Sequence, residues 1–99
     1  IKMEAELLQI KDQIEKMESL WENSKKDEAF ILFTETLPML QKFILWIERE
    51  HVLSPQNFEK LVVYLYQAIE NKDHILLEDV MCYGVLDIVR QLLGIENEE

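Results

Sequence analysis

The hydrophobic and polar positions of this chain alternate with helical spacing from its first residues onward. Near the N-terminus, apolar residues are separated by four and three positions in turn, a heptad seam typical of a helix that packs along one face. The seam consists of Met3, Leu7, Ile10, Ile14, Met17 and Trp21. It predicts a first helix over residues 2–22, followed by a turn at "NSKKDE" in which Ser24 or Asp27 caps the next helix.

The same alternation predicts a second helix over residues 27–51. Its seam consists of Phe30, Phe33, Leu37, Leu40, Ile44 and Ile47. Pro38 lies inside this segment, and a mid-helix proline removes one backbone hydrogen bond and crowds the carbonyl of Thr34. Because the seam continues in phase beyond the proline, we expect one helix with a kink at Pro38.

Capping residues mark the beginnings of two further helices. In "LSPQNF", Ser54 is placed to cap and Pro55 occupies the first helical position, where its missing N–H is harmless. These residues predict a third helix over residues 55–71. Asp73 is placed to cap a fourth helix over residues 74–93.

The predicted fourth helix ends at Gly94, which suits a left-handed cap, and residues 95–99 form an acidic tail. The connections between the predicted helices are short, so sequential helices must lie antiparallel. The expected fold class is therefore all-α, with residues 1–99 forming a single up-down-up-down four-helix bundle.

Apolar residues surround most of the fourth helix, which indicates contact with more than one neighbouring helix. They are interrupted by a narrow polar strip of Asp79, Tyr83 and Asp87, spaced four residues apart. Within the strip, Asp87 is placed to pair with Arg90 three residues later. We interpret the strip as the solvated side of a buried helix or, alternatively, as a specific polar contact made by Asp79.

The segment "KDHILLEDVMCYGVLDIV" resembles the C-terminal region of a family of small, uncharacterised cytosolic all-helical proteins of Gram-positive bacteria. The positions that match the family pattern are Asp73, Ile75, Leu76, Leu77, Asp79, Val80, Met81, Tyr83 and Val85. His74 stands where an aromatic residue is usual, and Cys82 and Gly84 replace residues that are usually acidic. The resemblance implies a cytosolic helical bundle with no assigned activity, and it singles out Asp79 and Tyr83.

Composition limits the classes of partner. The formal net charge is −10 over 99 residues, with lysines and arginines scattered among acids, which argues against nucleic acid. No segment resembles the apolar run of ~20 residues that spans a membrane, so no membrane association is expected. Cys82 is the single cysteine, which indicates a cytoplasmic protein and a small buried side chain rather than a reactive thiol.

The second predicted helix carries another apolar stripe, placed one position before its seam. The stripe consists of Leu32, Met39, Phe43 and Trp46. The diagonal helix of the bundle can cover it. Alternatively, it is a partner-binding patch extended by Tyr66 and Tyr64, because such side chains are enriched at interface centres. The seam of the first helix also has two interpretations. It packs within its own bundle, or it pairs with a second chain in a homodimer.

Two histidines raise the possibility of a metal or phosphorelay bundle. Glu48 and His51 have the E-x-x-H spacing that di-iron bundles use in pairs, but the sequence has no second copy. We place His51 in the last turn of the second helix, partly buried as a continuation of its seam, and His74 on the surface at the start of the fourth. Neither histidine is followed by the Lys-Gly of a phosphorelay domain.

The chain lacks a nucleophile elbow, an oxyanion loop and a glycine-rich phosphate loop, so we expect no catalytic residue and no cofactor. The sequence therefore predicts a non-enzymatic helical interaction module, similar to an adaptor or chaperone. It would bind another protein, or a copy of itself, through the first two helices, and its acidic surface favours basic or amphipathic partner helices. The alternative is the metal-binding or phosphorelay bundle that uses Glu48, His51 and His74.

Overall fold

The structure is a computed structural model that describes residues 3–95. Three helices, α1 (Glu4–Glu22), α2 (Lys26–Arg49) and α3 (Pro55–Glu70), precede a continuous C-terminal rod. The rod consists of α4 (His74–Asp79), a π-helical segment π1 (Val80–Val85) and α5 (Leu86–Leu93). Residues 3–95 contain no strand, and the predicted all-α helical bundle is confirmed.

The helices begin where the predicted caps place them in two of three cases. The side chains of Ser54 and Asp73 each accept a hydrogen bond from a backbone N–H three residues later, at 3.2 and 3.0 Å. Those two predicted caps are confirmed. The third is wrong, because α2 begins after Lys25, and neither Ser24 nor Asp27 caps it.

The three helices α1 to α3 and the C-terminal rod are each followed by a residue in the left-handed region of backbone conformation. These residues are Ser24, His51, Lys72 and Gly94, with φ of 60°, 52°, 46° and 74°. In each case the following N–H bonds the carbonyl five residues earlier, at 2.8–3.1 Å, which is the Schellman arrangement. Gly94 confirms the predicted end of the last helix, and the other three turns place a side chain where glycine is preferred.

The heptad seam of α1 faces the interior of its own chain. Its first five members are at most 7% exposed, and only Trp21, at the C-terminal end, is half-buried. α1 packs along α2 on one side and along α5 and π1 on the other. In this arrangement the seam is occupied within the chain and leaves no free stripe for pairing with a second copy.

The C-terminal rod contacts helices on two sides, as its wide apolar arc predicts. α5 and π1 pack against α1, whereas α4 and π1 pack against α3. The predicted helix over residues 74–93 is continuous but contains the six residues of π1, which periodicity alone did not indicate. A π-helical turn contains more residues than an α-helical turn, and Val80, Met81, Cys82 and Val85 are all buried.

α2 continues through Pro38 without a break in the helix, as the in-phase seam indicates. It is the one helix within residues 3–95 that is long and apolar enough to cross a membrane, so the expectation that no segment reaches this composition is wrong. The reason is that α2 carries two apolar stripes. Core helices of soluble proteins have the same length and composition, and Phe33, Leu40 and Phe43 are fully buried in the bundle.

Candidate functional site

An open groove of about 590 Å³ lies between α3 and the C-terminal rod. Two rows of rod residues, each with members four positions apart, form its floor and one rim. The inner row is Leu76, Val80, Gly84 and Ile88, and the outer row is Asp79, Tyr83, Asp87 and Gln91. The opposite wall is formed by Leu53, Asn57, Lys60, Leu61 and Tyr64. The groove is therefore apolar at its base and polar along its rims.

The groove exists because the two halves of the rod pack against different helices. α3 packs against α4 and π1, whereas α5 packs against α1. The N-terminal end of α3, which is antiparallel to the rod, therefore lies beside a helix whose main packing partner is elsewhere. Where two helices make few contacts, their ridges do not interdigitate, and the space between them stays open.

Gly84 deepens the groove at the middle of its inner row. A Cβ atom placed at this position would lie 3.6 Å from Leu61 Cδ1, which is an ordinary van der Waals contact. A glycine within a helix lowers stability by roughly 0.5–1 kcal/mol relative to alanine. Packing therefore does not require glycine here, and a larger side chain would project toward Leu61 and occupy the groove.

Two tyrosines stand at the rims with much of their surface exposed. Tyr83 on the rod is 73% exposed, and Tyr64 on α3 is 45% exposed. Tyrosine combines a large apolar ring with a polar tip, which suits a surface that is alternately wet and covered. Tyr83 was singled out in the sequence as part of the polar strip, and the structure places it beside Gly84.

The charged groups at the rims have no partner among residues 3–95. Asp79 and Asp87 lie on the rod and Lys60 lies on α3, and none of the three forms an ion pair with another residue of that range. The predicted pairing of Asp87 with Arg90 is wrong. Arg90 instead donates a hydrogen bond to Glu15 of α1, with Nη2 and Oε2 3.1 Å apart.

Glu15 thereby connects α1 to α5. Lys11 also donates to its carboxylate, with Nζ and Oε1 3.2 Å apart. Burial acts to raise the pKa of Glu15, but the hydrogen bonds from Arg90 and Lys11 outweigh it and hold the pKa below its ordinary value. The arginine nearest in sequence to the groove is thus engaged with α1.

The second stripe of α2 is partly covered by the bundle. Phe43 is fully buried, and its ring stacks on that of Trp46 with centroids 6.4 Å apart. Leu32, Met39 and Trp46 are half-buried and packed against the core. Helix packing covers much of this stripe, so Phe43 cannot reach a partner while the bundle is intact. Tyr66 is 65% exposed on α3, but it does not line the groove.

The residues of the metal and phosphorelay alternative lie apart. His51 is exposed and follows the end of α2, so its predicted place in the last helical turn, partly buried, is wrong. His74 is half-buried rather than on the surface, with its ring 5.8 Å from that of Phe30. The two histidines stand at opposite ends of α3, and residues 3–95 contain no group of three His, Cys, Asp or Glu placed to hold a metal ion.

Cys82 is 4% exposed in the centre of the rod. Burial, together with Glu18, Glu78 and Glu22, raises the pKa of its thiol to about 12. The side chain is therefore a neutral thiol at physiological pH, in agreement with its interpretation as a small core residue.

The sequence indicated only part of this site. It singled out Asp79, Tyr83 and Asp87, and it mentioned Tyr64 as an extension of another patch. Gly84 and Leu61 were missed as parts of a surface. The available signal was the glycine itself, because an interior glycine in a strongly apolar helix marks a place of close approach or open space.

Comparisons with known proteins give no match: no family model, no curated protein and no solved structure is similar to this chain. The resemblance of the segment around Asp79 and Tyr83 to small helical proteins of Gram-positive bacteria stays a prediction.

Proposed function

We propose that this chain is a non-enzymatic interaction module that holds a helix of another protein in the groove between α3 and the C-terminal rod. The observation that carries this proposal is an apolar floor left uncovered between two helices and flanked by the exposed rings of Tyr83 and Tyr64. An amphipathic helix laid into a hydrophobic groove is a common mode of recognition between proteins.

The dimensions of the groove suit a helical occupant. Its floor extends along the rod from Leu76 to Ile88, a rise of at most about 18 Å, or about three helical turns. Each of the two rows of rod residues is a ridge whose members are four positions apart. Such ridges interdigitate with those of a neighbouring helix when helices pack. A third helix placed here would add contacts between α3 and α5, which pack little against each other.

Another protein fits this role better than a second copy of the chain. The heptad seam of α1 and Phe43 of α2 are buried within one chain, so the surfaces first considered for self-association are largely occupied. The exposed apolar residues outside the groove, such as Ile31, Leu45 and Ile75, belong to different helices. The groove is where apolar side chains from two helices converge around open space.

The test is selection of helical peptides against the purified protein, followed by mapping of the bound peptide by amide NMR shifts. We expect the shifts to concentrate at Leu61, Tyr64 and Tyr83. Tyr83→Ala should weaken binding about tenfold or more, as truncation of an interface aromatic does. Tyr66→Ala removes a similarly exposed tyrosine outside the groove and should leave the affinity unchanged.

A second pair of variants separates binding from folding. Gly84→Leu should fill the groove and abolish binding, whereas Gly84→Ala makes only the 3.6 Å contact with Leu61 and should retain it. Circular dichroism checks that both remain helical. The proposal is wrong if selected peptides bind Gly84→Leu normally, if their shifts map to α2, or if selection yields no peptide above background.

A further inference from the structure

The charges along the rim of the groove indicate the chemistry of its occupant, and this inference rests on the proposed function. Asp79, Tyr83 and Asp87 follow one another along the outer row of the rod. The two aspartates are eight positions apart, with π1 between them, which is a rise of at most about 12 Å. One helix edge therefore presents two carboxylates about two turns apart with an exposed aromatic ring between them.

These carboxylates are available to a partner. Within residues 3–95 no cation forms an ion pair with either of them, because Arg90, three residues after Asp87, is held 3.1 Å from Glu15 of α1. Lys60 belongs to the opposite wall of the groove. Asp79 is exposed and Asp87 is half-buried, so both carboxylates are accessible to an incoming cation.

We infer that the groove takes an amphipathic helix with two lysines or arginines seven residues apart along one flank of its apolar stripe. Seven residues make nearly two full turns, so both cations lie on the same flank, about 10.5 Å apart. They meet Asp79 and Asp87, while apolar residues between them cover Tyr83 and the floor. The net charge of −10 attracts such a helix from a distance.

Lys60, on the wall opposite the two aspartates, makes the two rims of the groove different in charge. A helix with cations on both flanks would bring one of them toward Lys60, and like charges at close range disfavour binding. The preferred occupant is therefore basic on the flank that faces the rod and neutral or acidic on the flank that faces α3. This asymmetry fixes which way the apolar stripe is rotated in the groove.

The experiment uses three designed helical peptides with one shared apolar stripe. The first carries two lysines seven residues apart on one flank. The second has the same composition but places both lysines on the face opposite the stripe. The third has glutamate in place of the flanking lysines. Dissociation constants are measured by fluorescence anisotropy at low and high salt.

The first peptide should bind most tightly, and the third most weakly. The ratio of the dissociation constant of the second peptide to that of the first should fall about tenfold in the double variant Asp79→Asn/Asp87→Asn. The matched control Glu35→Gln/Glu59→Gln removes two exposed carboxylates outside the groove and changes net charge equally, so it should preserve that advantage.

Two results overturn the inference. Equal affinity of the first and second peptides would show that cation placement is irrelevant, and equal losses in the two double variants would show that only net charge matters. If Gly84→Leu still abolishes binding in those cases, the groove remains the site and only its charge preference is wrong. If Gly84→Leu leaves binding intact, the proposed function fails as well.

Discussion

The two sides of the C-terminal rod show opposite outcomes of helix packing within one small protein. Toward α1, the rod is closed, with Leu86 and Val89 of α5 fully buried and the Arg90–Glu15 pair connecting the two helices. Toward α3, the same rod leaves a groove of about 590 Å³ with exposed tyrosines at its rims. The rod is strongly apolar on both sides, so hydrophobicity alone does not decide which side closes.

The difference comes from how many neighbours each helix has. α1 packs against both α2 and the rod, whereas α3 packs mainly against the first half of the rod. Of the sixteen residues of α3, only Leu61, Leu65 and Ala68 are buried. A helix with so little buried surface opens at lower free energy than the core around it. The proposed binding groove therefore lies on the side that is less firmly held, where a partner would add contacts.

The largest expected effect distinguishes an aromatic side chain of the core from one on the open side of the rod. Phe43→Ala should reduce the free energy of unfolding by about 3–5 kcal/mol, because it leaves a cavity at a fully buried position. Tyr83→Ala removes a ring that is 73% exposed and should change stability by less than about 0.5 kcal/mol. Urea denaturation followed by circular dichroism measures both.

Similar losses for the two variants would contradict the comparison. A large loss for Tyr83→Ala would mean that the ring is part of the core and that the groove is closed in solution. A small loss for Phe43→Ala would mean that the second stripe of α2 is less firmly packed than its burial indicates, and that stripe would again be a candidate surface.

A smaller effect concerns two glutamates with opposite pKa shifts. Glu15 has a lowered pKa, so its contribution to stability is present above pH 4.5, its ordinary value, and is lost as pH falls through the folded-state pKa. Burial, with Asp79, Glu18 and Glu22, raises the pKa of Glu78. Its protonated form therefore favours the fold below pH 4.5, and this advantage is lost as pH rises through the folded-state pKa.

The same Glu→Gln substitution should thus have opposite signs at the two positions. At pH 7, Glu15→Gln should destabilise by on the order of 1 kcal/mol, and Glu78→Gln should stabilise by a few tenths. Both effects should shrink as the pH approaches 3, which thermal melts across pH 3–7 would detect. Destabilisation by Glu78→Gln at pH 7 would mean that its charge has a favourable partner.

Most of the fold follows from the sequence because apolar spacing and end signals act locally. The seam of α1, the caps at Ser54 and Asp73, and the end at Gly94 each depend on a few neighbouring residues, and the structure confirms them. The start of α2 was misjudged because Ser24 and Asp27, both near its N-terminus, are equally plausible N-cap residues by sequence. The structure uses neither as a cap.

The site was only half predictable because it depends on which helices meet. A polar strip with Tyr83 is visible in the sequence, but whether α3 covers it depends on packing angles set by the whole bundle. The pairing of Arg90 was misjudged for the same reason. A residue three positions away is always a candidate partner, whereas Glu15 lies 75 residues away and is brought close only by the fold.

A further effect of modest size concerns His51, at the turn that joins α2 to α3. Its φ of 52° disfavours a residue with a Cβ atom, so His51→Gly should stabilise the protein by about 0.5–1 kcal/mol, after allowing for the greater freedom of glycine in the unfolded chain. Gly94→Ala is the reverse control. A Cβ atom at Gly94 meets nothing within 4 Å, so its loss of stability, about 1 kcal/mol, reports backbone conformation alone.

Hydrogen exchange then shows whether the two sides open separately. If α3 opens without global unfolding, its amides exchange through that local opening. The variant His51→Gly stabilises the turn before α3, so it should slow amide exchange in α3 more than in α1. Ser24→Gly makes the same change at the α1–α2 turn, where φ is 60°. It should stabilise the protein to a similar extent without selectively protecting α3. Equal protection of α1 and α3 by both variants would mean that the bundle opens as one unit, and the groove would then be as rigid as the core beside it.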